Sequence, residues 1–171
     1  MNEDRTTTEL ARYLATMGID ATLVRREVEM PSVERATEAL GVAPAVIVKS
    51  IVLEHSQDPT RVCLVIVPGD RRVSRPKVAA ALDLGPLRLA SAETVQRATG
   101  YRPGGVPPVG HRAPLPVVVD RHVFEHDVVF GGGGDEWHML RIRPRDIKRL
   151  TGARVADVIE EPQPSADGAT A

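Results

Sequence analysis

The chain has 171 residues, 42% hydrophobic and 26% charged, which suits one soluble globular domain with a core of its own. Aromatics are only 3%, so that core must be built from Val, Leu, Ile and Ala. A net charge of −1, from 22 basic and 23 acidic residues, argues against coating nucleic acid by bulk electrostatics, but it leaves open binding to a small, defined part of one. The opening MNEDRTTTEL is too polar for a signal peptide, and the apolar run VCLVIV is far shorter than the ~18 residues of a membrane helix. A cytoplasmic location without membrane contact is the expectation. The single Cys63 cannot form an internal disulfide.

Residues 6–17 predict a first helix, capped by Thr6 or Thr7, with Leu10, Tyr13, Leu14 and Met17 as its stripe and Gly18 as its stop. Residues 19–24 predict a short strand. Ser32 caps a second helix that runs to Leu40 and stops at Gly41. The β-branched runs at 46–54 and 62–67 predict strands, joined through the polar EHSQDPTR as a hairpin. The second, VCLVIV, reads as buried on both faces. Ser74 caps a helix over 75–82, LRLA at 87–90 is a strand, and Ser91 caps a helix over 92–99. Residues 100–116 hold four Gly and five Pro and can be neither helix nor central strand. Strands follow at 116–120 and 127–130 around a helical turn. GGGGD at 131–135 reads as a flexible hairpin turn, 137–143 as the last strand and 144–150 as a helix. From about Glu160 the chain lacks apolar residues and is expected to be disordered through 171, which leaves 1–159 as the domain. The whole is an α+β domain with a mixed, mostly antiparallel sheet and flanking helices.

Chemistry concentrates at two places. In VIVKSIVLE, alternation puts Lys49 in a row with Ile47, Ile51 and Leu53. The bland reading is a lysine stem lying over the core with its ammonium in water. Against it, the chain has 19 Arg and only three Lys (Lys49, Lys77, Lys148), so a compact ammonium here suggests contact with a phosphate or a ribose hydroxyl. The second place is GYRPGGVPPVG. Gly104 and Gly105 open backbone angles closed to other residues, while Pro107 and Pro108 stiffen the loop. N–H groups at Gly104, Gly105 and Val106 could meet a carbonyl or a developing oxyanion. A plain surface loop is the competing reading. GGGGD lacks the pattern and the following helix of a phosphate cradle. His122, His126, His138 and Cys63 lack metal-ligand spacing, no GxSxG elbow is present, and Cys63 sits inside a buried strand. Two basic clusters, Arg71–Arg72–Arg75–Lys77 and Arg141 to Arg149, read as solvated faces or as patches for a phosphate backbone.

Taken together, VIVKSIVL, VPGDRRVSRPKVAAAL, LRLASAETVQRATGYRPGGVPPVG and the Gly-rich turn before WHMLRIRPRDIKRLTGA resemble, in that order, the YbaK/ProX family of aminoacyl-tRNA deacylases, related to the editing domain of bacterial prolyl-tRNA synthetase. The resemblance covers residues 5–158. It implies the compact YbaK-like fold and hydrolysis of the ester between a mischarged amino acid and the terminal adenosine of a tRNA. The strand lysine of the family matches Lys49, which would hold phosphate or ribose of the CCA end. Its loop matches Gly104 to Pro108, which would position the aminoacyl group. Catalytic roles thus fall on Lys49, Gly104 and Gly105, and the substrate-binding set is Ser50, Val106, Pro107, Pro108 and His138. The family uses no protein nucleophile, metal or cofactor; a ribose hydroxyl and a water supply the chemistry. The partner is a mischarged tRNA, with prolyl-tRNA synthetase or an elongation factor as further partners.

The chain departs from the cysteine-removing branch in two ways. The link before the second helix is short, and Met139 stands where that branch has a polar residue. Alanine or another small residue on tRNA for proline is therefore as good a substrate as cysteine. Pro107 replaces a frequent small hydroxyl residue, and His138 is a residue that could face the pocket instead. A rival from another class is a non-catalytic module that binds an aminoacyl or nucleotide group in the same pocket. A regulatory partner protein with a vestigial pocket is a third reading.

Overall fold

Short polar side chains start four of the five helices. In α1 (Thr7–Met17), Thr6 accepts the Glu9 N–H while the Glu9 carboxylate accepts the Thr6 N–H, a reciprocal capping box. Ser32, Ser74 and Ser91 cap α2 (Val33–Leu40), α3 (Arg75–Leu82) and α4 (Ala92–Thr99) in the same sense. Gly18 and Gly41 stop the first two helices, as their positions predict. The last helix, α5 (Pro144–Thr151), begins on a proline that needs no N–H there.

A computed structural model describes residues 4–162. Its strands are β1 (Thr22–Arg25), β2 (Val48–His55), β3 (Asp58–Pro68), β4 (Leu87–Leu89), β5 (Val117–Asp120), β6 (Val129–Gly132), β7 (His138–Ile142) and β8 (Arg154–Ala156). They form two sheets rather than one. The five-stranded sheet runs β4-β2-β3-β5-β8, antiparallel across β4, β2 and β3 and parallel across β3, β5 and β8. The three-stranded sheet runs β1-β7-β6, all antiparallel. A single parallel bridge, Ile47 to Phe130, joins them. The hairpin between β2 and β3 is tighter than EHSQDPTR suggests, because β3 begins already at Asp58.

The VCLVIV strand sits at the centre, and Cys63 through Val67 are all fully buried. Leu64 and Ile66 face a core with Leu10, Leu14, Val109 and Leu140, whereas Cys63, Val65 and Val67 face a second core with Val78 and Val158. Each such side chain contributes about 1.5–3 kcal/mol by burial, so this is the rigid part of the molecule. Fully buried Asp120, at the end of β5, accepts the Val158 N–H at 2.9 Å and the His122 N–H at 3.0 Å, which ties the C-terminal segment to the sheet. Order runs past the predicted domain end: the Glu160 N–H donates to the Arg72 carbonyl, and Glu161 pairs with Lys77. Residues 163–171 of the predicted tail lie outside the described residues.

Candidate active site

A cavity of about 380 Å³ opens where the outer edge of β2 meets the 101–110 loop. Lys49 and Ser50 of β2, Gly104 and Val106 of the loop, Gly132 of β6 and Met139 of β7 line it. Met30 and the first turns of α2, through Val33 and Ala36, close its apolar floor. Other clefts are of similar size, at about 470 and 450 Å³, but neither contains Lys49.

The Lys49 ammonium donates to the Arg71 carbonyl. Burial pushes its pKa below the ordinary lysine value, the neighbouring Arg72 pushes the same way, and Asp70 opposes them. Among the described residues no carboxylate forms an ion pair with it.

The loop is braced from several sides. The Tyr101 hydroxyl, fully buried, donates to the Gly110 carbonyl at 3.2 Å and closes the loop at its base. Burial pushes the His111 pKa down, and its Nε2–H donates to the Pro107 carbonyl, which can only accept, at 2.7 Å. The Gly134 N–H donates to the Gly105 carbonyl at 2.9 Å, and the Thr7 hydroxyl of α1 holds the Gly133 carbonyl at 2.9 Å and Asp135 Oδ2 at 3.1 Å. Burial alone would raise the Asp135 carboxyl, but bonds from His138, the Trp137 N–H and Thr7 outweigh it and hold the group below its ordinary range.

The glycine run is therefore more than a turn. Gly131 and Gly132 belong to β6. A Cβ at Gly132 would stand well inside 3.0 Å of the Val106 carbonyl oxygen, and one at Gly131 would meet Pro108 Cδ at 2.9 Å. Glycine there lets the loop lie flat on the strand. The signal was in the sequence, as four glycines in a row entering a strand.

Four of the expected site residues come together on the cavity: Lys49, Ser50, Gly104 and Val106. Gly104 has φ +92°, the left-handed conformation that favours glycine. The Gly105 N–H does not face a ligand. It donates to the Arg102 carbonyl at 3.2 Å, and the residue borders the neighbouring cleft instead. Among the described residues, the N–H groups of Gly104 and Val106 have no backbone acceptor, so these are the donors left for a ligand. Pro107 and Pro108 are buried behind the lining. His138 does not line the cavity: alternation along β7 puts Met139 into it, and His138 Nδ1 instead meets Asp135 Oδ1 at 2.8 Å. Burial raises the Cys63 thiol to about 11, so it is no ready nucleophile. The basic clusters are largely exposed, as solvated faces would be, and some members pair within the protein. Lys77 binds Asp157 and Glu161, and Arg143 pairs with Asp20 at 3.1 Å. No helix among the described residues is long and apolar enough to cross a membrane.

The family model for the aminoacyl-tRNA editing domain matches residues 27–150. The chain belongs to this editing family. The resemblance drawn from Lys49, PGDRR and the 104–108 loop therefore holds. The matched span contains every wall of the cavity, while α1, which braces the glycine turn through Thr7, lies outside it. The editing domain is 32% identical over 148 residues to a proline–tRNA ligase of Bacillus licheniformis, covering 84% of this chain and 25% of the relative. It is 30% identical over 143 residues to the proline–tRNA ligase of Ralstonia nicotianae, covering 81% and 25%. The chain thus spans about a quarter of the length of the curated relatives it matches. Among solved structures, a candidate trans-editing enzyme for prolyl-tRNA synthetase matches with a TM-score of 0.81 at 33% identity, covering 91% of this chain and 97% of that one. A hypothetical protein of solved structure matches with a TM-score of 0.81 at 34% identity, covering 89% and 99%.

Proposed function

We propose that this editing domain acts in trans as an aminoacyl-tRNA deacylase, cleaving the ester between a small mischarged amino acid, such as alanine or cysteine, and the terminal adenosine of tRNA for proline. One observation carries the reading: Lys49, Gly104 and Val106 line a common cavity whose lining, among the described residues, holds no His, Cys, Asp or Glu, and the Gly104 and Val106 amides have no backbone acceptor.

Such a lining has no imidazole, thiol or carboxylate to offer, and the substrate is already an activated ester. Positioning and stabilisation of the oxyanion are then the protein's share of the work. The ester carbonyl sits at the Gly104 and Val106 amides. Water, held by the vicinal ribose hydroxyl, adds to the carbonyl carbon; the carbon–oxygen ester bond breaks, and the ribose oxygen leaves with a proton. Lys49, with Arg72 beside it, holds a phosphate or the ribose of the CCA end, and the phosphate offsets the lowering that burial imposes on Lys49.

The volume of about 380 Å³ is near the small end of the ~300–1,000 Å³ typical of ligand pockets, and Met30 and Met139 are among its walls. A larger amino acid is turned away by size. One methylene gives only about 1–3 kcal/mol of discrimination, which is the chemical reason for a separate editing step. A cytoplasmic location goes with this reading.

The test is hydrolysis of tRNAs charged with Ala, Cys, Ser, Thr and Pro. Turnover of a small mischarged amino acid with Pro-tRNA spared is the expected result. No turnover across the panel would overturn the reading, and binding without turnover would favour a non-catalytic aminoacyl-tRNA-binding module.

A further inference from the structure

The outer edge of β2 is unpaired just where it borders the cavity. On that side the bridge from Ile47 to Phe130 lies at one end, and pairing with β4 begins only at Leu53. Hydrogen bonds at the two ends fix which groups face the gap. The Ile47 carbonyl accepts the Gly69 N–H at 2.7 Å on the β3 side, so odd-numbered residues bond to β3 and even-numbered ones point outward. The Val52 carbonyl, pointing outward, accepts the Ala90 N–H at 3.1 Å. Ser50 lies between, its N–H and C=O directed off the sheet, and no strand among the described residues pairs with it on that side. Its Oγ is buried and has no hydrogen-bond partner among the described residues. A buried polar group is costly to leave unpaired, and a buried hydroxyl beside two outward main-chain groups at a cavity calls for a polar ligand.

We infer that Ser50 recognises the free α-ammonium group of the bound amino acid, through its main-chain carbonyl and its hydroxyl oxygen. The inference rests on the proposed aminoacyl substrate and adds to it a requirement for an unblocked amine. An amino acid ester offers a nitrogen donor, as a residue of an added strand does, so the ammonium docks on the outward Ser50 carbonyl while the ester carbonyl stays at the Gly104 and Val106 amides. The Lys49 ammonium is turned to the Arg71 carbonyl, which keeps the two cations apart. An N-acylated ester, the chemistry of a peptidyl-tRNA, has lost the charge and two of the three N–H donors, and its acyl group fills the space at the edge. The device would confine hydrolysis to aminoacyl esters and spare growing chains.

The experiment is calorimetric binding of two amide-linked, non-hydrolysable analogues of alanyl-adenosine to the whole protein, one with a free amine and one N-acetylated. The free amine should bind about tenfold tighter or better. Ser50→Ala should narrow that ratio severalfold by weakening only the free-amine analogue. Equal affinity for both, or binding of neither, overturns the inference. Turnover of Ala-tRNA is measured in parallel: hydrolysis without amine discrimination removes the role of Ser50 and leaves the deacylase reading standing, while discrimination without any hydrolysis does the reverse.

Discussion

Lys77 ends among acceptors: Glu161 at 3.0 Å, Asp157 at 3.2 Å and the Ile159 carbonyl at 2.8 Å. Lys49 ends on a single carbonyl and forms no ion pair among the described residues. Bonding to Glu161, then to Asp157, raises the pKa of Lys77, while burial and Arg72 lower that of Lys49. Both lysines are conspicuous in an arginine-rich chain. The charge of one is matched by carboxylates at the surface, where it holds the C-terminal segment to α3. The other lines a cavity and forms no ion pair among the described residues. Scarcity of lysine thus marks positions where a compact ammonium is needed, and the surrounding acceptors say whether the need is structural or ligand-directed.

The largest expected effect separates the two. Lys49→Ala should lower deacylation by about a hundredfold or more, since a charge-assisted contact to the tRNA end is lost. The melting temperature should hold or rise, because a half-buried cation is removed. Retained activity in a steady-state deacylation assay would break the contrast. Gly132→Ala comes next. The new Cβ displaces the Val106 carbonyl and with it the loop amides, so deacylation should fall about tenfold and the melting temperature by several degrees, read by calorimetry. Lys77→Met should do the opposite of Lys49→Ala, lowering the melting temperature by a few degrees with deacylation unchanged.

The smallest effect is in pH. The pKa of Lys77 is raised on folding, so its stabilising contribution is complete below the unfolded lysine value and is lost as pH climbs through the higher folded value. The pKa of Lys49 is lowered, so its charge costs stability at neutral pH; the cost begins to fall as pH climbs through its depressed folded value and is gone above the unfolded lysine value. Deacylation should therefore lose its alkaline limb before ordinary lysines titrate, while the fold persists. A pH–rate profile beside a pH–melting profile resolves the two, and coincident limbs would contradict this assignment.

Local chemistry was plain in the sequence because its causes are local. Thr6, Ser32, Ser74 and Ser91 announce helix starts, and Gly18 and Gly41 announce stops, through bonds within one turn. The continuous VCLVIV run announced a strand covered on both faces. Three residues, Arg154–Ala156, were too few and too exposed to read as β8, which exists because β5 offers it a parallel edge. The 104–108 loop was visible, but not which of its amides remain unbonded. That depends on the Arg102 carbonyl taking the Gly105 N–H. Tyr101 and His111, which hold the loop, carried no signal beyond their residue types.

By itself the sequence determined the helices, most of the strands, the family resemblance and the two segments that meet at the cavity, because capping, alternation and backbone freedom act over a few residues. Only the tertiary structure decided that Met139 rather than His138 enters the cavity, that Gly132 sits beneath the loop, and that Ser50 faces an unpaired edge. Those outcomes depend on strand register and on which neighbour takes which hydrogen bond, and both are settled between segments far apart in the chain.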